Sequence, residues 1–257
     1  MPDPPGGAVP AARPIWLVTF DLYDTLIELD PPRWVRLAAA CARHGLPADP
    51  DALRAADVVA EDYYTEENGR HPIRDRPAAE REAFRLRHTA RWLAAANLPH
   101  DPDTAGAIRR SYLSEFEVKA DGDRHYPYRV FDDVLPALAR LRAAGLQTAV
   151  ISNADADVTA LCTEHAFAAE MDLIVTSALV GWEKPDPRTF RAALDPLGVA
   201  PAAALHVGDQ PRSDIVGARG VGMRAALLDR YHRHRPGAHA VPYVAGLLEL
   251  ADLVLST

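Results

Sequence analysis

The sequence has few cysteines, no long basic run and no long apolar stretch. Its 257 residues include two cysteines, Cys41 and Cys162, which lie far apart, so we expect two small buried side chains and no disulfide or zinc site. The formal net charge of -8 argues against nucleic acid as a partner. No segment approaches the roughly 20 apolar residues of a membrane span, and the N-terminus lacks the pattern of a secretory signal. These absences predict a soluble, reduced, cytoplasmic protein.

What is present divides the chain into three parts. Residues 1–13 are rich in Pro, Gly and Ala, which predicts a disordered leader. Residues 31–122 show only helical patterns, which we interpret as an all-helical cap. The remainder, 14–30 and 123–257, alternates strands with helices, as in a doubly wound, Rossmann-like parallel-sheet α/β core.

The local pattern also predicts individual elements. The expected helices have amphipathic spacing or clear start and stop residues: residues 33–44, 50–66, 77–97, 102–119, 134–144, 155–166, 187–197, 213–219 and 243–255. The expected strands are short apolar runs: residues 15–21, 147–151, 173–177, 204–207 and 222–228. Asn68, Gly69 and Pro72 indicate a loop at 67–76.

Polar side chains follow four of the predicted strands, at the point where each strand ends. They are Asp21, Asp24 and Thr25 after the first strand, Ser152 and Asn153 after the second, Lys184 after the third, and Asp209 and Asp214 after the fourth. Because the carboxyl ends of parallel strands face one crevice, these side chains predict a composite site.

In order and separation, these clusters resemble the four motifs of the haloacid dehalogenase-like superfamily of hydrolases. The motifs read Asp21-Leu-Tyr-Asp-Thr25, Ile151-Ser-Asn153, Gly181-Trp-Glu-Lys-Pro-Asp186 and His206-Val-Gly-Asp-Gln-Pro-Arg-Ser-Asp214. The helical insert is similar to the family's first-type cap. The resemblance implies that the core performs the chemistry and that the cap selects a small-molecule substrate.

The resemblance also implies roles for single residues. Asp21 would be the nucleophile that forms an ester later hydrolysed by water. Lys184 would keep Asp21 ionised and offset negative charge on the substrate. Thr25 and Ser152, together with groups at Asn153, would bind substrate oxygens.

A magnesium ion is the expected cofactor. Its ligands would be Asp21, Asp209, Asp214 and the main-chain carbonyl of Tyr23, because Mg²⁺ prefers hard oxygen ligands. However, Tyr23 stands where the family's phosphatases carry a second aspartate that serves as acid and base. A phenol with a pKa of about 10 is a poor base near neutral pH. Asp24 should point to the opposite side of the segment and should not replace that aspartate.

Three functions therefore stay open. The acid pair Asp209 and Asp214 favours a magnesium-dependent phosphatase that acts on a small phosphorylated metabolite. Tyr23 favours a 2-haloacid dehalogenase, since such members carry a tyrosine there, use no magnesium and release a halide that needs no proton. A catalytically weak binding or regulatory protein is the third. The sequence leaves the choice between monomer and homodimer open.

Several other charged residues fall outside the motifs. Arg33, Arg36, Arg74 and Arg76 are interpreted as surface charges of the cap. His232, His234 and His239 are interpreted as members of a solvated loop, and His206 as a core histidine.

Overall fold

The computed structural model describes residues 14–118 and 125–256, which are organised around one parallel sheet. Six strands form this sheet in the order β5-β4-β1-β6-β7-β8, and β2 and β3 form a separate antiparallel pair. The strands are β1 (Leu17–Phe20), β2 (Ile27–Leu29), β3 (Tyr128–Val130), β4 (Gln147–Ser152), β5 (Leu173–Thr176), β6 (Ala204–Gly208), β7 (Arg224–Leu228) and β8 (Tyr243–Val244). Because β1 lies between β4 and β6, the carboxyl ends of these three strands are neighbours.

Ten α-helices accompany the strands in the described residues. They are α1 (Arg33–Arg43), α2 (Pro50–Arg70), α3 (Ala78–Ala95), α4 (Pro102–Leu113), α5 (Val134–Ala143), α6 (Thr159–Glu164), α7 (Ser177–Val180), α8 (Pro187–Leu197), α9 (Gly217–Gly220) and α10 (Leu247–Leu255). Short 3₁₀ turns lie at Ile73–Asp75, Ala168–Glu170 and Pro201–Ala203, and a π-helical turn at Pro211–Val216. Within this part of the chain no helix has the length and apolar character needed to cross a bilayer.

Successive residues of the central strands pack on opposite faces of the sheet. On β1, Val18 joins an apolar cluster that includes Leu138 of α5 and Leu250 of α10, whereas Leu17 joins a second cluster with Phe190 of α8. This alternation is the period of two expected of a strand. The sheet is therefore buried on both faces.

Helices α1 to α4, together with the 3₁₀ turn Ile73–Asp75, lie between β2 and β3 in the chain, and we call this group the helical insert. A third apolar cluster holds it together, with Trp34, Leu53, Trp92 and Ile108 among its buried members. Trp92 Nε1 also donates to the carbonyl of Leu53 at 2.7 Å, which ties α3 to α2. The insert thus has a core of its own.

The predicted parallel α/β fold is confirmed, and the cysteines behave as expected, because Cys41 and Cys162 are both buried and free. The predicted leader at 1–13 and the predicted end of the cap at 122 lie outside the described residues. Within the described part, the expected helices at 33–44 and 187–197 match α1 and α8 to within one residue.

Other local predictions were wrong. The loop expected at 67–76 is largely helical, because α2 continues to Arg70 and the side chain of Asn68 accepts from Ile73 N at 2.7 Å, which starts the 3₁₀ turn. The closing helix begins only at Leu247, since Tyr243 and Val244 pair with β7 as a short strand. The helix expected at 213–219 is instead a π-helical turn followed by α9, and α6 is shorter than predicted. The pair β2 and β3 was not anticipated.

Candidate active site

Lys184 joins two carboxylates where the central strands end. Its Nζ donates to Asp21 Oδ1 and to Asp214 Oδ1, each at 2.6 Å, and the side chain is almost completely buried. Asn153 fixes the lysine backbone, because its Oδ1 accepts from Lys184 N at 2.7 Å and its Nδ2 donates to Lys184 O at 2.9 Å. The exits of β1, β4 and β6 therefore meet at Lys184. Asn153 was predicted to bind substrate through main-chain amides near it, and its side chain is engaged with the lysine backbone.

Lys184 and the two carboxylates each stabilise the charged form of the other, which shows in their pKa values. Burial raises the pKa of Asp21 to about 6, although Lys184 opposes the shift. Burial disfavours the charge on Lys184, but Asp21 and Asp214 outweigh it and raise the lysine pKa above its ordinary value. Burial of Asp214 is likewise outweighed, and Lys184 and His206 lower the pKa of that carboxyl. At neutral pH Asp21 is therefore an anion beside a charged lysine.

Asp214 is held by the turn that follows β6. Its Oδ2 accepts from Gln210 N at 2.9 Å, and its Oδ1 lies 3.2 Å from His206 Nε2. A Cβ atom at Gly208 would lie 2.2 Å from Asp214 Oδ2, so only glycine allows this close approach. His206 is fully buried, as predicted for a core histidine, and Thr19 Oγ1 contacts its other ring nitrogen at 2.8 Å. The histidine thus also orients the carboxylate.

Three carboxylates form a group that fits a divalent cation. Asp21, Asp209 and Asp214 each offer an oxygen, and these oxygens lie within 4.8 Å of one another. Asp209 Oδ1 is buried and, among the described residues, has no hydrogen-bond partner. Burial raises the pKa of Asp209, and the guanidinium of Arg233 opposes the shift. A buried carboxylate oxygen without a donor is costly unless a cation or water satisfies it, so the donor set suits Mg²⁺.

Two hydroxyl groups at the exits of β1 and β4 also lack a hydrogen-bond partner among the described residues. Thr25 Oγ1 and Ser152 Oγ are buried, and in the part of the chain that the structure describes neither makes a hydrogen bond. Thr25 lies in the turn after β1, and Ser152 is the last residue of β4. Unpaired buried hydroxyls are uncommon, and two at the exits of adjacent strands can donate to oxygens of a bound ligand.

Tyr23 lies in the turn between Asp21 and Asp24 and packs against another aromatic ring. Its ring centroid is 5.3 Å from that of Tyr128. Burial, and then the nearby Asp21, raise the pKa of the Tyr23 phenol. Asp24 is paired with Arg33 of α1. At neutral pH this turn therefore supplies no free acid beside Asp21 to take the place of a second aspartate.

A chain of ion pairs connects the helical insert to the site, and sequence reasoning missed it. Arg33 donates to both oxygens of Asp57 at 3.0 and 2.6 Å, in addition to its contact with Asp24. Arg233 then donates to Asp57 Oδ2 at 2.7 Å and to Asp209 Oδ2 at 2.6 Å. The prediction that Arg33 is a surface charge was therefore wrong, because the residue is held between two carboxylates.

One sequence signal could have identified Asp57. It shares the buried face of α2 with Leu53, Ala56 and Ala60, where an unpaired acid would be costly. Arg233 offered no such signal. It lies in the stretch 232–239 that was predicted to be solvated, yet its side chain is only 1% exposed.

Arg36, Arg74 and Arg76, which were also predicted to be surface charges, make specific contacts as well. Arg74 donates to Glu183 Oε1 at 2.9 Å and approaches Ser177 Oγ at 3.4 Å, so it forms a second contact between the insert and the core. Burial raises the pKa of Glu183 to about 7, with Arg74 opposing the shift. Arg36 and Arg76 are buried and donate to main-chain carbonyls.

The balance of charge around the site also favours a cation. The ion pairs described above join five carboxylates to three cations. The carboxylates are those of Asp21, Asp24, Asp57, Asp209 and Asp214, and the cations are Lys184, Arg33 and Arg233. The acids therefore outnumber the cations, and a divalent ion bound among them would offset part of this excess.

Fold and site together define a class of enzyme core: a parallel α/β sheet in which a buried carboxylate at the end of the central strand is held by a lysine from another strand exit. A sequence profile of haloacid dehalogenase-like hydrolases matches residues 15–222. The chain is 31% identical over 250 residues to haloacid dehalogenase-like hydrolase domain-containing protein 3 of Homo sapiens. The aligned region covers 93% of this chain and 94% of that protein. The chain belongs to the haloacid dehalogenase-like hydrolase family.

Two further relatives carry more specific names. Phosphoserine phosphatase of Thermus thermophilus is 41% identical over 108 residues, which is 42% of this chain and 43% of that enzyme. The crystal structure of a 2-haloacid dehalogenase from Pseudomonas syringae is similar over 94% of this chain and 98% of that one, with 28% identity and a TM-score of 0.52. The names therefore divide between the two chemistries that the sequence left open.

Proposed function

We propose that the protein is a magnesium-dependent phosphatase that acts on a small phosphorylated metabolite. The observation that carries this proposal is the group of three buried carboxylates with an unpaired Asp209 oxygen. A monoanionic haloacid does not require a metal ion. A phosphate dianion beside Asp21 has to be neutralised by a cation, and these acids can hold one. The partial similarity to a phosphoserine phosphatase supports the same choice.

The proposed reaction begins at Asp21. An Asp21 carboxylate oxygen attacks phosphorus, the bond from phosphorus to the leaving oxygen breaks, and an aspartyl phosphate forms. Water then attacks phosphorus, the bond from phosphorus to the Asp21 oxygen breaks, inorganic phosphate is released, and the free carboxylate is regenerated. Lys184 would offset negative charge on the transferring group, and the hydroxyls of Thr25 and Ser152 would donate to its oxygens.

Magnesium would be held by Asp21, Asp209 and Asp214, with the main-chain carbonyl of Tyr23 as a further ligand. When bound, it would neutralise charge on the phosphoryl oxygens. The turn after β1 offers the leaving group no free acid, because Tyr23 has a raised pKa and Asp24 is paired with Arg33. We therefore expect good leaving groups, such as acyl or anomeric phosphates, to react fastest.

A second candidate is a 2-haloacid dehalogenase, and Tyr23 is the observation that favours it. In that reaction Asp21 would displace halide from carbon, and water would hydrolyse the resulting ester. Halide leaves without a proton, so the absence of a second aspartate carries no penalty. The similarity to the Pseudomonas syringae enzyme supports this alternative.

One parallel screen separates the candidates. Phosphate release from a panel of phosphorylated metabolites and p-nitrophenyl phosphate, and halide release from 2-chloropropionate, are each measured with magnesium and with EDTA. The proposal expects phosphate release that EDTA abolishes and that is absent in Asp21→Asn. Halide release that is independent of metal would favour the dehalogenase. No turnover in either assay would favour a binding or regulatory role.

A further inference from the structure

Arg233 is a buried cation that contacts the helical insert on one side and the three-carboxylate group on the other. Its Nη1 donates to Asp57 Oδ2 of α2 at 2.7 Å, and its Nη2 donates to Asp209 Oδ2 at 2.6 Å. One guanidinium group therefore spans two parts of the molecule that are far apart in the chain. Oδ2 of Asp209 accepts from Arg233 and, at the longer distance of 3.1 Å, from Gln210 Nε2, so Oδ1 is the oxygen left without a partner among the described residues.

The loop that carries Arg233 is itself fixed to the core. Asp229 accepts from Arg233 N at 2.9 Å and from His234 N at 2.7 Å, which closes the turn after β7. Arg230 donates to the carbonyl of Thr25 at 2.9 Å and also pairs with Asp133. The backbone of Arg233 is thus held by core residues, whereas its guanidinium position also depends on Asp57 of the insert.

Asp57 is in turn held by the insert. Arg33 of α1 donates to both Asp57 oxygens and contacts Asp24, which lies three residues after Asp21. Asp57 is completely buried, so none of its charge is offset by solvent. A displacement of α1 or α2 would therefore move Asp57 and change how Arg233 is shared between its two carboxylates.

We propose that Arg233 is a positioning residue that joins the helical insert to the metal site, so that its contact with Asp57 sets the orientation of Asp209 and hence the affinity for Mg²⁺. The inference rests on the proposed function in that it takes Asp209 as a metal ligand. It goes further because it assigns two residues outside the motifs, Arg233 and Asp57, to the assembly of the metal site.

Magnesium binding without substrate tests the inference directly. Mg²⁺ is titrated into the full chain by isothermal titration calorimetry, with circular dichroism and thermal unfolding as checks on the fold. Asp57→Asn should raise the Mg²⁺ dissociation constant about tenfold, which corresponds to one lost contact at a coupled site. Asp57 is not one of the proposed metal ligands, so this effect would have to pass through the residues between them.

Glu61→Gln is the matched control. Glu61 lies one turn further along the same helix and pairs with His88, and its replacement removes the same charge from α2. It should change the dissociation constant less than about twofold, because its carboxylate acts on Arg33 and Arg233 only through space, whereas Asp57 accepts hydrogen bonds from both. Equal effects of the two variants would mean that only the charge of α2 matters, and would overturn the inference.

A double-mutant cycle tests whether the effect of Asp57 on Mg²⁺ binding depends on Arg233. In the Arg233→Met background, Asp57→Asn should no longer change Mg²⁺ affinity, since the connecting side chain is gone. A full tenfold loss in that background would overturn the role of Arg233. If Asp57→Asn unfolds the protein, Asp57→Glu keeps the charge but shifts the carboxylate, and it should weaken Mg²⁺ binding as well; unchanged affinity would count against the inference.

Mg²⁺ binding and phosphate release by the wild-type protein distinguish a failure of this inference from a failure of the proposed function. Wild-type protein that fails to bind Mg²⁺ would overturn the metal site and the inference together. Wild-type protein that binds Mg²⁺ and releases phosphate, with an Asp57→Asn variant that binds Mg²⁺ equally well, would overturn the inference alone.

Discussion

Lys184 and Arg233 are two buried cations that each join two buried carboxylates, and they differ in where those partners come from. Both partners of Lys184, Asp21 and Asp214, follow strands of the sheet. Arg233 has one partner of that kind, Asp209, and one in the helical insert, Asp57. The position of the lysine charge is therefore fixed by the sheet, whereas the position of the arginine charge also depends on the helical insert.

This difference suggests a division of work within the site. The sheet fixes Asp21, the proposed nucleophile, and its counter-ion Lys184, which is the form of preorganisation that electrostatic catalysis needs. The insert reaches the carboxylate group only through side chains that are themselves ion-paired. Changes on the Lys184 side should therefore affect the chemical step most, and changes on the Arg233 side should affect metal binding and stability.

The largest effect is expected for Lys184→Met. Without the ammonium group, Asp21 loses its stabilising charge and the phosphoryl group loses a counter-ion, so phosphate release should fall on the order of 10³-fold, or about 4 kcal/mol. Initial rates with p-nitrophenyl phosphate and magnesium measure the loss. Activity within threefold of the wild type, in a variant that remains folded, would contradict the view that the lysine fixes the chemistry.

Arg233→Met should have its main effect on stability. Its removal leaves Asp57 and Asp209 buried with fewer charged partners, and breaking a buried pair in this way costs about 3 kcal/mol. Urea unfolding of the metal-free protein in EDTA measures this loss in the free energy of unfolding. Arg140→Met is the control, because Arg140 forms an exposed pair with Asp252 and should change stability by less than about 1 kcal/mol. Similar losses in both variants would remove the distinction between this buried link and an ordinary surface pair.

The Lys184 side of the site could be predicted from the sequence, and the reason is geometric. Its carboxylates follow a strand directly or within a short turn, Lys184 follows β5 after the short helix α7, and parallel strands bring their ends together whatever the details of packing. Asp21 and Ser152 follow this rule, and the fold that it assumes is confirmed. Asn153 shows the limit of this rule. The pattern located the residue but did not reveal that its side chain hydrogen-bonds to the main chain of Lys184.

The Arg233 side could not be predicted in the same way. Arg233 lies in an irregular loop, where no periodicity tells a buried side chain from an exposed one. Its partner Asp57 was marked only by its place on an apolar helix face, and Arg33 resembled any charged residue near a helix start. Which side of the insert faces the sheet depends on tertiary packing, and no single-sequence pattern records that.

Glu183→Gln tests whether burial of Glu183, at its contact with Arg74 of the insert, makes the stability of the protein depend on pH. The pKa of Glu183 is raised from 4.5 to about 7 by burial, so the folded protein holds this proton more tightly than the unfolded chain. The wild type should therefore lose free energy of unfolding as pH rises from about 4.5 to 7, by on the order of 2 kcal/mol. The variant should lack this loss, and its advantage over the wild type should grow between pH 5 and pH 8.

Urea unfolding of both proteins at pH 5 and pH 8 measures that difference. Glu164→Gln, at an exposed glutamate on α6, controls for the loss of one acid. Parallel pH dependences in wild type and Glu183→Gln would indicate that Arg74 compensates the buried carboxylate fully. The insert would then be held at this contact by an ion pair whose strength does not vary over that range.

The smallest effect is expected at Tyr23, which lies in the turn between the two systems: Asp21 is held by Lys184, and Asp24 by Arg33. Tyr23→Asp would place a carboxyl group where the leaving oxygen lacks an acid. An imperfectly placed acid recovers only part of the usual gain, so we expect about a tenfold rise, or 1.4 kcal/mol. The gain should appear with serine phosphate, whose alkoxide needs a proton, and not with p-nitrophenyl phosphate. The ratio of the two rates, relative to the wild type, measures it. An equal change for both substrates would mean that the new charge acts on Asp21 or the metal site, and that the turn does not work independently of the two cations beside it.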